Sequence, residues 1–146
     1  MDNEMTLTFL ARSENESLAR IAVTSFMAQL DPTVEELSEC KTIVSEAVSN
    51  AIIHGYAHNP NGIITVHATR HGAEISVVIK DEGCGIANID QAREPLYTTK
   101  PELERSGMGF TIMESFADFL QIESTLGEGT IITFTKQISP LQAYVT

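Results

Sequence analysis

The spacing of the apolar residues changes near Gly55, and this change constrains the fold more than any other feature of the sequence. From Ser13 to Ile53, apolar residues recur every three or four positions, which is the spacing of helices packed on a core. From Ile63 to Lys80 they alternate with polar residues, as in half-buried strands. The pattern predicts an α+β fold, a two-layer sandwich with helices on one face of a mixed, mostly antiparallel sheet.

The first helix is predicted over Glu14–Leu30. Ser13 and Glu16 form the S-x-x-E pattern of a capping box, and Asp31-Pro32 ends the helix because proline cannot continue it. Glu16 and Arg20 fall outside the apolar stripe. The residues expected to face the core are Leu18, Ala19, Ala22, Val23, Phe26 and Leu30.

The second helix is predicted over Val34–Ile53. Thr33 and Glu36 form another capping box, and Gly55 follows as the terminating glycine. This helix also has one apolar side. The residues expected to face the core are Leu37, Cys40, Val44, Ala47, Val48 and Ala51.

Strands make up much of the remaining chain. The predicted elements are strands at Thr6–Phe9, Ile63–Thr69, Glu74–Lys80, Leu120–Ser124 and Thr130–Lys136, and helices at Ile89–Arg93 and Phe110–Phe116. Residues 81–109 form a long irregular stretch, and such stretches in compact domains are usually functional. The tail Ile138–Thr146 is expected to be frayed.

Composition and charge narrow the possible functions. The 146 residues contain no linker-like stretch, so one domain spanning 1–146 is expected. A net charge of −11 argues against nucleic-acid binding and favours a protein partner with basic patches, unless the charge serves only solubility. The N-terminus is acidic and no apolar run approaches the roughly 18 residues of a membrane span, so a cytoplasmic location is expected. Cys40 and Cys84 lack metal-ligand spacing and are expected to be reduced thiols.

Glu46 and Asn50 are four residues apart on the second predicted helix, so they project from the same side of it. Carboxylate and amide oxygens suit magnesium, which also takes water and phosphate as ligands. Glu46 could instead accept a proton from a hydroxyl group or a water molecule. Since this spacing is also common on solvated helix faces, the pair alone does not identify a site.

Three glycine-containing turns complete the candidate site. The run Asp81-Glu82-Gly83-Cys84-Gly85 follows a strand, where the acid can accept a hydrogen bond from an adenine amino group and the glycines allow close approach. The run Ser106-Gly107-Met108-Gly109-Phe110 opens a helix whose N-terminal amides suit a triphosphate. Gly129-Thr130 closes the last turn. Taken singly, each run is more simply a turn.

The order of these elements carries more information than any one of them. E-x-x-x-N, D-x-G-x-G, G-x-G and G-T follow one another in a single short chain. Together they resemble the Bergerat-type ATP-binding fold shared by DNA gyrase, the Hsp90 chaperone, histidine kinases and MutL. Within that superfamily, the run from Glu46 to Gly55 resembles the bacterial anti-sigma-factor serine kinases. The run from Thr98 to Phe110 is similar to the anti-sigma F factors of spore-forming bacteria, and the similarity covers nearly the whole chain.

The resemblance implies a role for each matching residue. Glu46 would be the catalytic base, Asn50 the Mg²⁺ ligand and Asp81 the adenine contact, with a lid at about 87–108. The further residues implied to contact ATP or ADP are Gly83, Gly85, Ile86, Thr98, Thr99, Lys100, Arg105, Ser106, Gly107, Met108, Gly109 and Thr130.

These roles lead to one principal hypothesis and two alternatives. The principal hypothesis is an ATP-dependent serine kinase that sequesters a sporulation sigma factor and phosphorylates its anti-anti-sigma antagonist, with a second copy of the chain as dimer partner. One alternative is the ATP-binding domain of a histidine kinase, although no helical hairpin with an acceptor histidine precedes the fold. The other is a non-catalytic module that uses ATP to shape a docking surface.

Arg20 is the candidate partner contact, because it lies outside the apolar stripe in a chain with only nine basic residues. Arginine is favoured at the centres of protein interfaces, where it could anchor an acidic group. The simpler interpretation is an i, i+4 pair with Glu16 that contributes little to helix stability.

Overall fold

The computed structural model describes residues 2–87, 89, 93 and 109–139. Its helices are α1 (Glu14–Met27), followed by a 3-10 turn (Ala28–Leu30), α2 (Val34–Asn50), followed by a π-helical turn (Ala51–Gly55), and α3 (Gly109–Phe116). Its strands are β1 (Asn3–Leu10), β2 (Ile63–His71), β3 (Glu74–Asp81), β4 (Phe119–Thr125) and β5 (Gly129–Gln137).

The strands form one sheet in the order β1-β2-β3-β5-β4. Each pairing between neighbouring strands in the described part of the chain is antiparallel, so this sheet is not mixed. β5 lies between β3 and β4, which places Thr130 directly opposite Asp81. The topology therefore joins two glycine-rich turns that are far apart in sequence.

The helices pack against one face of this sheet. Along β2, Ile64, Val66 and Ala68 are fully buried, whereas the intervening Thr65 and His67 are partly exposed. The helices bury residues in the same core, among them Ala19, Val23, Phe26, Met27, Cys40, Ile43, Val44, Ala47, Val48 and Met113. The α+β two-layer sandwich predicted from the sequence is confirmed.

Two expectations for α1 were wrong. Ser13 has helical backbone angles, φ −58° and ψ −33°, and makes no side-chain cap, because capping requires an extended residue at that position. Glu16 faces α2 instead, where its carboxylate accepts a hydrogen bond from the Ser49 hydroxyl at 3.0 Å. Leu18 is 46% exposed, since the buried stripe runs through Ala19 and Val23.

The capping box of α2 is confirmed and also holds the end of β5. Thr33 Oγ1 accepts from the amide of Glu36 at 3.0 Å, and a Glu36 oxygen accepts from the amide of Thr33 at 2.8 Å. The other Glu36 oxygen accepts from the amide of Ser139 at 2.9 Å. Ile138 is 1% exposed, so fraying does not begin at Ile138 as expected; residues 140–146 lie outside the described ranges.

Opposing influences set the pKa of Glu36. Burial acts to raise it, but the hydrogen bonds donated by Thr33 and Ser139 outweigh burial and lower the pKa below its ordinary value. The carboxylate form is thereby stabilised in the folded protein.

Candidate functional site

The C-terminal end of α2 widens into a π-helical turn. The amide of Tyr56 donates to the carbonyl of Ala51 at 2.9 Å, a bond that spans five residues. π-helical turns are rare and occur frequently at functional sites. This turn directly follows Asn50, so it determines the backbone path between Asn50 and Tyr56.

The D-x-G-x-G loop lies against this helix end. The amide of Cys84 donates to the carbonyl of Gly55 at 2.8 Å, and the Cys84 thiol donates to the carbonyl of His54 at 2.9 Å. A Cβ on Gly83 would lie 2.1 Å from the Gly55 oxygen. Because no side chain fits there, glycine at position 83 permits the contact.

Both cysteines are free thiols, as expected. Cys40 lies in the core, where burial raises the pKa of its thiol to about 12. Cys84 is exposed and holds the loop through the contact with His54 described above.

Asp81 lies at the end of β3 and is only 7% exposed. Its Oδ1 accepts from the amide of Gly83 at 2.9 Å, and its carboxyl group also accepts from the amide of Thr130. A Cβ on Gly55 would lie 3.0 Å from Oδ1, so the end of the helical run directly adjoins the carboxylate. Burial raises the pKa of Asp81, although the hydrogen bonds from Gly83 and Thr130 oppose this effect.

The β4–β5 turn closes the other side of the loop. A Cβ on Gly129 would lie 2.2 Å from the carbonyl oxygen of Asp81, and one on Gly85, with φ +76°, would lie 2.3 Å from the carbonyl oxygen of Thr125. The amide of Gly127 donates to the carbonyl of Cys84 at 2.7 Å. The loop is therefore held between the helix end and the turn by backbone contacts that exclude larger residues.

Ser124 contacts two of the predicted site residues, Ile86 and Thr130. Its hydroxyl accepts from the amide of Ile86 at 2.7 Å and lies 2.9 Å from the hydroxyl of Thr130. The structure thus brings Ile86 and Thr130 to the same side chain. No local sequence signal distinguishes Ser124, because its role depends on the pairing of β4 with β5.

Glu46 and Asn50 lie on the half-buried side of α2, next to the buried Ala47 and Val48. The Asn50 amide nitrogen is buried and has no hydrogen-bond partner among the described residues. No group of three or more metal-binding His, Cys, Asp or Glu side chains occurs within the ranges described. Because Mg²⁺ can be held by one or two protein oxygens together with phosphate and water, the side-chain oxygen of Asn50 could serve as a ligand without such a group.

Of the residues predicted between the loop and α3, the structure describes a few, and the others lie outside the described ranges. Gly109 is buried at the start of α3. Ile89 and Arg93 are described, and the amide of Arg93 donates to the carbonyl of Ile89 at 3.0 Å. The predicted residues outside those ranges are Thr98, Thr99, Lys100, Arg105, Ser106, Gly107 and Met108, with most of the proposed lid.

Arg20 belongs to a polar cluster between α1 and α2. Its guanidinium lies 3.5 Å from the carboxylate of Glu16 and donates to the Ser45 hydroxyl at 3.2 Å. Ser49 donates to the same carboxylate from α2. Glu16 and Arg20 form the expected i, i+4 pair, and the cluster also extends to the helix that carries Glu46.

Several known proteins are similar to this chain in sequence or in fold. Residues 9–136 match the histidine kinase-like ATPase domain family. The chain is 61% identical over 145 residues to the anti-sigma F factor of Lysinibacillus sphaericus, covering 99% of each chain. It is 58% identical over 143 residues to that of Geobacillus thermodenitrificans, covering 98% of each. Part of the crystal structure of the RsbU and RsbW domains of Rv1364c from Mycobacterium tuberculosis has a similar fold, with a TM-score of 0.68 at 19% identity, over 93% of this chain and 32% of that one.

The chain therefore belongs to the histidine kinase-like ATPase domain family and, within it, to the anti-sigma F factors. The resemblance inferred from the motifs is confirmed. Membership of an ATPase domain family implies nucleotide binding. None of the helices in the described ranges has the length and apolar character needed to span a bilayer.

Proposed function

We propose that this protein is an ATP-dependent serine kinase and anti-sigma factor. It sequesters a sporulation sigma factor and phosphorylates a serine of the anti-anti-sigma protein that opposes this sequestration. Support comes from the names of relatives such as the Lysinibacillus sphaericus anti-sigma F factor and from the histidine kinase-like ATPase family. The observation that carries the proposal is the enclosed Asp81 carboxyl group beside the helix end that follows Asn50.

Asp81 would recognise the adenine amino group. Its carboxyl group is already oriented by the amides of Gly83 and Thr130, so little further ordering is needed when nucleotide binds. Gly83, Gly85 and Ile86 would lie along the base, with Thr130 supporting the acid. ATP and ADP share adenine, so both would use this end of the site.

Asn50 would hold Mg²⁺ through its side-chain oxygen. Its buried amide nitrogen, which has no partner among the described residues, would gain one from a nucleotide oxygen or a bound water. When bound, Mg²⁺ would neutralise charge on the phosphates. Phosphoryl transfer depends mainly on positioning and charge neutralisation.

Glu46 would accept the proton of the substrate serine as the hydroxyl oxygen bonds to the terminal phosphorus of ATP and the bond from that phosphorus to ADP breaks. It precedes Asn50 by one helical turn, which places base and metal ligand on one side of α2. Residues of the proposed lid and of the start of α3 would contact the phosphates, and among them Lys100 and Arg105 would add positive charge. These residues are Thr98, Thr99, Lys100, Arg105, Ser106, Gly107, Met108 and Gly109.

The partner surface would include Arg20. The cluster with Glu16, Ser45 and Ser49 joins this surface to α2, where the two serines immediately precede the proposed base and the proposed metal ligand. A partner carboxylate could replace Glu16 as the acceptor for the guanidinium. We further propose that the protein acts in the cytoplasm as a homodimer.

The decisive experiment uses radiolabelled ATP, Mg²⁺ and the purified anti-anti-sigma protein. Label on a serine of that protein, lost when Glu46 is replaced by glutamine, is the expected result. Label on a histidine would favour the histidine-kinase alternative. ATP binding without transfer would favour the non-catalytic module and overturn the kinase.

A further inference from the structure

Tyr56 bridges the two strands that lead into the proposed adenine loop. Its hydroxyl donates to the carbonyl of Ile63 at 2.6 Å and accepts from the amide of Glu82 at 2.6 Å. The last paired residues of β2 and β3 are Ile64 and Asp81. The next antiparallel pair would be Ile63 with Glu82, so the tyrosine hydroxyl occupies the place of that direct hydrogen bond.

This insertion has a geometric consequence for the loop. Because a hydroxyl separates Ile63 from Glu82, the chain after Asp81 leaves β2 and turns toward the helix end. There the amide of Cys84 reaches the carbonyl of Gly55, the residue that immediately precedes Tyr56. The two adjacent residues Gly55 and Tyr56 therefore contact the loop at two positions, Cys84 and Glu82.

The aromatic ring is fixed in this position by Gly62. A Cβ on Gly62 would lie 2.5 Å from Cγ of Tyr56, so the ring covers the glycine at a distance that no other residue would permit. The Gly62 backbone lies outside the left-handed region, so alanine there would be unfavourable because of the ring alone. The ring is also partly buried against the hydrophobic core.

We propose that Tyr56 is a positioning residue for adenine recognition: its hydroxyl keeps β2 and β3 from pairing one residue further and so holds Asp81 in register with the base. This inference rests on the proposed function, since it assumes that Asp81 reads adenine. Without the hydroxyl, Ile63 and Glu82 pair directly and draw the loop away from Gly55. The interaction that is weakened is therefore the one with the adenine base.

The test compares ATP and GTP binding by calorimetry in the wild type, Tyr56→Phe and Thr24→Val. Thr24 is a matched control because, in the described part of the chain, its hydroxyl donates within α1, to the carbonyls of Arg20 and Ile21. Tyr56→Phe should weaken ATP binding about five- to tenfold, the effect of a net loss of one hydrogen bond when a direct Ile63–Glu82 bond replaces the two made by the hydroxyl. GTP binding should change less, so the preference for adenine shrinks, whereas Thr24→Val should keep the wild-type values.

A second variant helps to distinguish lost positioning of the loop from misfolding of the protein. Gly62→Ala displaces the ring but retains the hydroxyl, and it should reduce the ATP preference in the same direction. In Tyr56→Phe, hydrogen exchange at the Glu82 amide should change specifically as its partner changes. Unchanged ATP affinity in Tyr56→Phe would overturn this inference alone. So would equal losses of ATP and GTP affinity accompanied by a lower thermal midpoint. Failure of the wild type to bind ATP would overturn the proposed function with it.

Discussion

Gly83 lies so close to Gly55 that a Cβ on the first would be 2.1 Å from the carbonyl oxygen of the second. The two residues are 28 positions apart, one in a loop after β3 and the other at the end of the α2 helical run. Their contact joins the proposed adenine loop to the helix of Glu46 and Asn50. Nucleotide base and phosphates would thus be bound by two segments held at a fixed separation.

Gly83→Ala should separate these segments. The added methyl group must displace backbone atoms, an overpacking effect of about 1–3 kcal/mol. ATP affinity should fall by at least about tenfold, measured by calorimetry. Gly72→Asn is the matched control, because a Cβ at Gly72 meets nothing within 4 Å and asparagine tolerates its positive φ. Equal ATP affinity in both variants would show that the Gly55–Gly83 contact is dispensable.

Asp81→Asn should weaken ATP and ADP binding by about 1.5–3 kcal/mol, the range for a lost charge-assisted hydrogen bond. Asparagine keeps the size of the side chain but cannot accept from Gly83, Thr130 and adenine through two equivalent oxygens. Calorimetry together with circular dichroism separates lost binding from lost folding. An intact fold with unchanged affinity would remove Asp81 from the site.

Glu46→Gln should separate binding from chemistry. Glutamine preserves the shape but cannot take a proton, so transfer should fall by about 100-fold or more while ATP still binds. Initial rates with radiolabelled ATP at saturation provide the measurement, and Glu35→Gln, exposed in the first turn of α2, is the control. A normal rate for Glu46→Gln would mean that another group is the base.

Arg20→Glu should disrupt partner binding. It reverses the charge and places two carboxylates one helical turn apart, so thermal stability should also fall slightly. Affinity for the sigma factor or the anti-anti-sigma protein should fall by about tenfold or more, measured in the presence of ATP. Arg12→Glu, a charge reversal in the exposed segment before α1, is the control. If both complexes keep native affinity, Arg20 contributes only to the helix.

Glu36→Gln should destabilise the protein by about 1–2 kcal/mol at neutral pH, since glutamine can accept from only one of the amides of Thr33 and Ser139. The pKa of Glu36 is lowered on folding, so its contribution is fully present above the ordinary glutamate pKa and disappears as pH falls through the folded pKa. Denaturant unfolding of wild type and variant across acid pH measures this. Glu35→Gln, exposed in the same turn, should give a much smaller difference; an equal one would contradict the assignment.

Local interactions explain which sequence predictions were confirmed. The capping box of Thr33 and Glu36 involves residues three apart, and the β2–β3 hairpin is joined by a two-residue turn, so neighbouring residues determine both. Ser13 has the same local pattern as Thr33, yet it does not cap. Its partner Glu16 is held by Ser49, 33 residues away, and only the packing of α1 on α2 creates that competing contact.

Local sequence patterns were enough to predict α1, α2, α3 and the five strands, because periodicity, capping and turn chemistry act over a few residues; the predicted helix Ile89–Arg93 lies mostly outside the described ranges. Tertiary structure alone decided that β5 pairs with β3, that Thr130 faces Asp81, and that Tyr56 lies between Ile63 and Glu82. These relationships join residues remote in sequence through backbone amides and carbonyls, which every residue type carries. Side-chain patterns therefore indicated which residues belong to the site, and only the folded sheet and helix end determined how they are held together.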